Sequence, residues 1–247
     1  MTDIKYLASE LDGLILYADN HLLAVNKPAG LLSQDSGTGL HNLEDWAREW
    51  VRVDKGKPGA VFLNAVHRID KAVSGVVLFA RTSKALSRLN EDIRKRNCRK
   101  VYHVLVEGAP KKPADQLIHW LSHEHHRAEL CREGDKGAQR AVLSYRICRR
   151  DRRSRPDCGI GDPGYSNGLT LLEVDLETGR YHQIRVQLSA IGCPIAGDEK
   201  YGAKQHSQDG SIALHHRQLE IVHPTKKEPV IIEAPYPADS DWWKLLD

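Results

Sequence analysis

Cysteine is scarce in this 247-residue chain and poorly spaced for structural chemistry. Cys98, Cys131, Cys148, Cys158 and Cys193 are odd in number and contain no Cys-x-x-Cys pair, which argues against a disulfide framework and a structural zinc site. Long apolar runs are missing too. Nothing approaches the roughly 18 apolar residues of a membrane span, and Asp3, Lys5, Glu10 and Asp12 stand where a signal peptide would need an apolar core. A soluble, cytoplasmic protein is expected. No internal repeat or domain linker is visible. Together with 40% hydrophobic, 28% charged and 6% aromatic residues, this excludes a fibrous repeat, a disordered tail protein and a disulfide-stapled miniprotein.

A fold of this size buries roughly 70–75% of the surface of its unfolded chain, so the core needs no metal to hold it. Net charge is low: 36 Lys and Arg against 33 Asp and Glu give +3, a balance that permits a nucleic-acid partner without demanding one. The positive charge is nevertheless clustered. Arg146 to Arg155 places six arginines in ten residues, and Arg94, Lys95, Arg96, Arg99 and Lys100 form a second group. Each cluster alone is as compatible with a solvated face as with a binding surface.

Leu14 to Tyr17 and Leu22 to Val25, separated by Asp19-Asn20, predict a hairpin stopped by Pro28 and Gly30. Residues 33 to 41 read as a loop. Asn42 can cap a helix carrying Leu43, Trp46, Ala47 and Trp50. Val76 to Ala80 is a continuous apolar run of strand length, buried on both faces. Ser83 offers a helix N-cap, with Leu86, Leu89 and Ile93 on one face, and Lys100 to Val106 returns to strand. Leu117-Ile118, Ala141 to Leu143 and Leu169 to Leu176 read as strands. Arg149 to Asn167 is too long and polar for an ordinary connection and reads as a flexible arginine-rich insertion. Ile184, Leu188 and Ile191 mark a short helix. Ala213-Leu214 with Leu219 to Val222, and Val230 to Ile232, complete the strands. The whole is α+β rather than a regular parallel α/β fold.

Chemistry centres on His67-Arg68-Ile69-Asp70, where a polar loop meets the buried strand at Val76. An acid at such a junction is held rigidly yet stays open to a cleft, although the pattern alone equally fits an ordinary surface aspartate.

Four blocks then resemble, in order, the RluA-type pseudouridine synthases, which modify ribosomal and transfer RNA. They are Ile15-Leu16-Tyr17 through Asn26-Lys27-Pro28-Ala29-Gly30; Ala65 to Asp70 through Ser74-Gly75; Arg99-Lys100-Val101-Tyr102; and Glu177-Thr178-Gly179-Arg180 through Gly197-Asp198 and Tyr201-Gly202. A fainter fifth block contains Leu214-His215, His223-Pro224 and Ala234-Pro235. The resemblance implies a single α+β catalytic domain over residues 1–247, with its core at 13–237. It implies a long, mixed, largely antiparallel sheet flanked by helices with a central RNA-binding cleft, and no separate RNA-binding domain is expected ahead of residue 13. It implies an isomerase that breaks the N1–ribose bond of a flipped uridine, rotates the base and rejoins it through C5, without a cofactor or metal.

Residue by residue, Asp70 falls on the catalytic aspartate, which adds to the ribose or the base or removes a sugar proton; those routes stay open. Arg185 falls on the arginine that pairs with that acid, a role suited to a guanidinium that stays charged when desolvated. Tyr102 falls on a tyrosine that lies against uracil and acts in proton transfer at C5. Arg68 falls on an arginine that occupies the space of the departed base. Leu214 lines the uracil pocket, and His67 and Arg180 complete the substrate-binding set. The expected partner is an RNA stem-loop, and the expected state a monomer. Val73, Gln187 and His216 depart from the family pattern, replacing a common threonine, histidine and small residue, and bear on substrate preference more than on activity.

Two other readings compete. His119, His123, His125 and His126 suggest a metal hydrolase, since His119 and His123 could share a helix face; but no His-Glu-x-x-His order appears and the family has strands there. The other is an RNA-binding protein on the same scaffold that has lost catalysis, against which the presence of Asp70, Tyr102 and Arg185 argues.

Overall fold

The computed structural model describes residues 11–148 and 168–246, apart from Thr38, Lys55, Lys57 and Pro58. The expected insertion at Arg149 to Asn167, with most of the Arg146–Arg155 cluster, lies outside the described residues. The chain divides into two compact units, Met1–Arg99 with His216–Tyr236, and Lys100–His215 with Pro237–Asp247. The described residues form eleven strands and three α-helices, as an α+β fold requires. None of those helices is long and apolar enough to cross a membrane.

In the first unit β1 (Ile15–Ala18) and β2 (Leu22–Lys27) make the expected hairpin. Asp19 closes it: one carboxylate oxygen accepts from the backbone N–H groups of His21 and Leu22, both at 2.8 Å, and the other accepts from buried His223 Nε2 at 2.8 Å. Helix α1 (Leu43–Asp54) begins as predicted, with Asn42 Oδ1 accepting from Asp45 N–H at 3.0 Å. Its buried stripe is Leu43, Ala47 and Val51, while Trp46 and Trp50 sit at its half-buried margin. Strand β3 (Asn64–Ala65) pairs with β4 (Ser74–Ala80), all seven residues of which are buried.

Helix α2 (Ser83–Arg94) is capped by Thr82 and not by Ser83. Thr82 has the extended backbone a cap needs and its hydroxyl accepts from Ala85 N–H, whereas Ser83 is already helical. Strand β4 lies beside β10 (Leu214–Val222), which pairs with β11 (Pro229–Glu233). The sequence shows only the apolar ends of β10; His215 to Gln218 disguise its middle, where His215 and His216 are fully buried. Leu22, Val76, Leu78, Leu89, Leu219 and Ile232 pack the core of this unit.

The second unit orders its strands β5 (Arg99–Glu107), β9 (Leu169–Leu176), β8 (Gln139–Ile147), β6 (Ala114–Glu124) and β7 (Arg127–Cys131), all neighbours antiparallel. The turn between β6 and β7 is His125-His126, both at positive φ. It was invisible in the sequence because such turns normally announce themselves with Asn-Gly or Asp-Gly. Helix α3 (Gln183–Ala190) buries Ile184 and Leu188 as expected.

Gly75 shows what the Ser74-Gly75 pair is for. Its φ is +114°, and a Cβ there would stand 2.3 Å from the His216 carbonyl oxygen and 2.6 Å from the His216 nitrogen. Both neighbours are backbone, so no rotamer change relieves the clash. Gly75→Ala is therefore expected to lower unfolding stability by roughly 2–4 kcal/mol, read as a fall in the urea midpoint; an unchanged midpoint would show that β10 yields.

Candidate active site

Asp70 sits half-buried in the first unit, on the loop between β3 and β4. Backbone bonds hold the loop at both ends: Val66 N–H donates to Leu78 O at 2.8 Å, and Val73 N–H donates to Asp70 O at 3.1 Å. Immediately before Asp70, buried Ser33 donates to Ile69 O at 2.7 Å and accepts from Ile69 N–H at 3.2 Å. Immediately after it, Gly30 N–H donates to Lys71 O at 2.8 Å.

Lys27, fully buried at the end of β2, closes this arrangement. Its Nζ donates to the carbonyls of Pro28 at 2.8 Å, Leu31 at 2.7 Å and Lys71 at 3.3 Å. Three acceptors match the three N–H groups of an ammonium. Burial pushes its pKa down to about 7, opposed by the Asp70 carboxylate. The expected substrate residues flank the acid. Arg68 is exposed, whereas His67 is half-buried, its Nε2 accepting from Leu78 N–H at 3.3 Å and its ring edge-on to His216 at 5.2 Å.

In the second unit Tyr102 is buried on β5, opposite Val174 of β9. Leu214, also buried, opens β10, next to Ala213, whose carbonyl accepts from Leu105 N–H at 3.0 Å. The Thr178 to Gln183 segment is fastened to β8. Val142 N–H donates to Thr178 Oγ1 at 2.8 Å, Gln183 Nε2 donates to Val142 O at 3.1 Å, and Gln183 Oε1 accepts from Thr178 Oγ1 at 2.8 Å and from Arg180 N–H at 3.0 Å. Arg180 itself is exposed and donates through Nε to Arg140 O. These contacts fix the first turn of α3 and so aim Arg185, which forms a side-on fork with Asp198: Nε to Oδ2 at 2.7 Å and Nη2 to Oδ1 at 2.8 Å. Tyr201 lies against this pair, with the Arg185 guanidinium carbon 5.1 Å from its ring centre. His182, at positive φ just before α3, contacts the Tyr201 hydroxyl through Nδ1 at 2.9 Å. Burial first, then the nearby Arg185 and Lys200 charges, push the His182 pKa down to about 3, so its imidazole is neutral.

Two contributors were missed from the sequence. Lys27 and Asp198 each stood inside a recognised block, but nothing local distinguishes a buried charge from a solvated one. Gln187, which departs from the family pattern, is fully buried and donates through Nε2 to Leu117 O at 3.2 Å and to His119 Nδ1 at 2.9 Å. His119 and His123 lie on strand β6, not on a helix, and no group of three or more metal-ligating side chains occurs among the described residues.

The Lys27 ammonium gives stability a defined pH dependence. The unfolded chain keeps this proton up to 10.5, whereas the folded chain releases it from about 7. The cost of burying the charge is thus full below pH 7 and is relieved as pH rises towards 10.5, with a slope of up to about 1.4 kcal/mol per pH unit. Urea unfolding from pH 7 to 9 is expected to show stability rising more steeply for the wild type than for Lys27→Met; parallel profiles would mean that Lys27 keeps its proton throughout.

Residues 21–190 match the RNA pseudouridylate synthase family. The chain is 32% identical over 234 residues to an uncharacterised RNA pseudouridine synthase, YhcT, of Bacillus subtilis, covering 93% of this chain and 70% of that one. It is 31% identical over 241 residues to tRNA pseudouridine synthase C of Vibrio cholerae, covering 94% and 93%, and 31% identical over 243 residues to ribosomal large subunit pseudouridine synthase D of Xylella fastidiosa, covering 91% and 66%. The solved structure of human RNA pseudouridylate synthase domain containing 4 superposes with a TM-score of 0.74 at 23% identity over 95% of this chain and 93% of that one, a likeness of fold. On this length of match and this degree of identity, the chain belongs to the RNA pseudouridylate synthase family, among its RluA-type members, and is an isomerase acting on RNA.

Proposed function

We propose that this protein converts specific uridines of a transfer or ribosomal RNA to pseudouridine, with Asp70 as the reacting carboxylate, within a catalytic domain spanning residues 13–237. The observation that carries the assignment is the seat of Asp70: a half-exposed acid whose neighbours on both sides are tied to Ser33, Gly30 and Lys27. The family match supplies the reaction, and the names of the transfer-RNA and ribosomal relatives support the substrate class. The proposed compartment is the cytoplasm, where both RNAs are met.

The conversion balances without oxidant or cofactor. The N1–C1′ bond breaks, a C5–C1′ bond forms, the C5 proton leaves and N1 gains one. A stacked uridine must first be drawn out, which costs a few kcal/mol repaid by contacts to the flipped base and the gap. In this reading Arg68, being exposed, enters the gap, Tyr102 and Leu214 hold the uracil, and His67 and Arg180 flank the RNA. Asp70 reacts as the carboxylate, whichever of its routes it takes, and Arg185 is assigned to the same reaction by its place in the family motif.

Loss of the C5 hydrogen supplies the assay. Tritium at uridine C5 is released as the new bond forms. Asp70→Asn is expected to reduce release by more than about a thousand-fold while RNA affinity and unfolding midpoint stay near wild type. Measurable multiple turnover by the pure variant would remove Asp70 from the chemistry. RNA binding by wild type and variant with release by neither would make the protein a binding module. Mapping pseudouridines in total RNA of a deletion strain identifies the target.

A further inference from the structure

We propose that Asp198 is a positioning residue for the reaction, setting the orientation of the Arg185 guanidinium and balancing its charge; this rests on the assignment of Arg185 to the reaction. Asp198 is almost completely removed from water, as is Arg185. Its place is set by backbone. Asp198 N–H donates to Ile195 O at 2.9 Å, and its carbonyl accepts from Tyr201 N–H at 3.0 Å and Ala203 N–H at 3.1 Å. The preceding Gly197, at φ +85°, lies so close to the Ser211 carbonyl that a Cβ would stand 2.6 Å from it. A short side chain on so fixed a turn presents its two oxygens in one direction.

That direction meets the side-on edge of Arg185, with both bonds below 2.9 Å. The fork uses one N–H of Nε and one of Nη2, and holds the guanidinium plane so that its remaining donors project from the opposite edge. Tyr201 supports the same plane from its ring, and is itself anchored by its hydroxyl, which accepts from Ala128 N–H at 2.9 Å. Paired in this way, Arg185 offers fixed donors rather than an uncompensated charge. An asparagine at 198 would keep the shape but lose the anion. The fork would loosen, while the protein as a whole would become more positive and no weaker towards a polyanion.

Single-turnover tritium release with enzyme in excess separates the roles, because the rate constant reports on working sites and the amplitude on how many there are. Asp198→Asn is expected to lower the rate constant roughly 10- to 100-fold at full amplitude, with RNA affinity unchanged or tighter. Asp198→Glu should recover part of the rate, and Asp198→Asn should add little to Arg185→Lys, since both act through one guanidinium. A reduced amplitude at unchanged rate constant would overturn the proposal, leaving Asp198 a purely structural partner. Were Asp198→Asn not to fold, a slowed rate constant at full amplitude in Asp198→Glu would support the proposal and a wild-type one would overturn it. Arg185→Lys with wild-type rate would instead defeat the assignment of Arg185 itself, whereas a slow Arg185→Lys beside a normal Asp198→Asn would defeat only this inference.

Discussion

Lys27 leaves water with its ammonium only because three backbone carbonyls meet it, and that requirement dictates the path of the loop carrying Asp70. The carbonyls of Pro28 and Leu31 come from the turn after β2, and that of Lys71 from the residue after the acid. A buried charge is costly unless each of its donors is satisfied, so the two loops cannot separate without stranding it. Ser33 adds a second fastening at Ile69, and Gly75 lets β4 begin against the backbone of His216. The acid is thus placed by main-chain bonds on either side of it, while its own side chain stays half-exposed.

The second unit solves a similar problem with side chains. Thr178 and Gln183 fasten to Val142, and this is why the Thr-Gly-Arg-Tyr-His-Gln-Ile-Arg spacing has meaning: its polar members at 178 and 183 pin the entrance of α3 to β8, and the arginine two residues into the helix turns inward to a carboxylate. The helix is only eight residues long, too short to persist on its own propensity, so these contacts supply its definition.

The departures from the family pattern carry their own local solutions. His216, in place of a small residue, donates from Nδ1 to Val76 O at 2.7 Å and packs against His67. Gln187, in place of a histidine, donates to the Leu117 carbonyl and to His119. Both keep a polar side chain inside by giving it a fixed acceptor, and His216 does so beside the loop that carries Arg68 and Asp70. Nothing in the structure distinguishes Val73 from the threonine it replaces.

Much of the fold was legible because its signals are local. The apolar run of β4, the Asp19-Asn20 turn and the Asn42 cap each depend on a few adjacent residues, and the structure holds all three. The polar middle of β10 and the His125-His126 turn were not, since burial of imidazoles and positive φ without glycine or asparagine leave no periodic trace. For the site, the resemblance of the ordered blocks to the RluA-type family is what selected Asp70, Tyr102 and Arg185 as candidates; the local pattern alone fits an ordinary surface aspartate. The sequence by itself therefore determined the family, the class of reaction and the segments that carry the candidate residues. Only the tertiary structure decided that Lys27 is buried under the acid's loop and that Asp198 is the carboxylate in the Arg185 fork. Partners for a buried charge are chosen by which strands and turns lie side by side, as when the Lys71 carbonyl meets Lys27 from a separate loop and Asp198 meets Arg185 from the turn beyond the helix, and local propensity and periodicity carry no information about such a meeting.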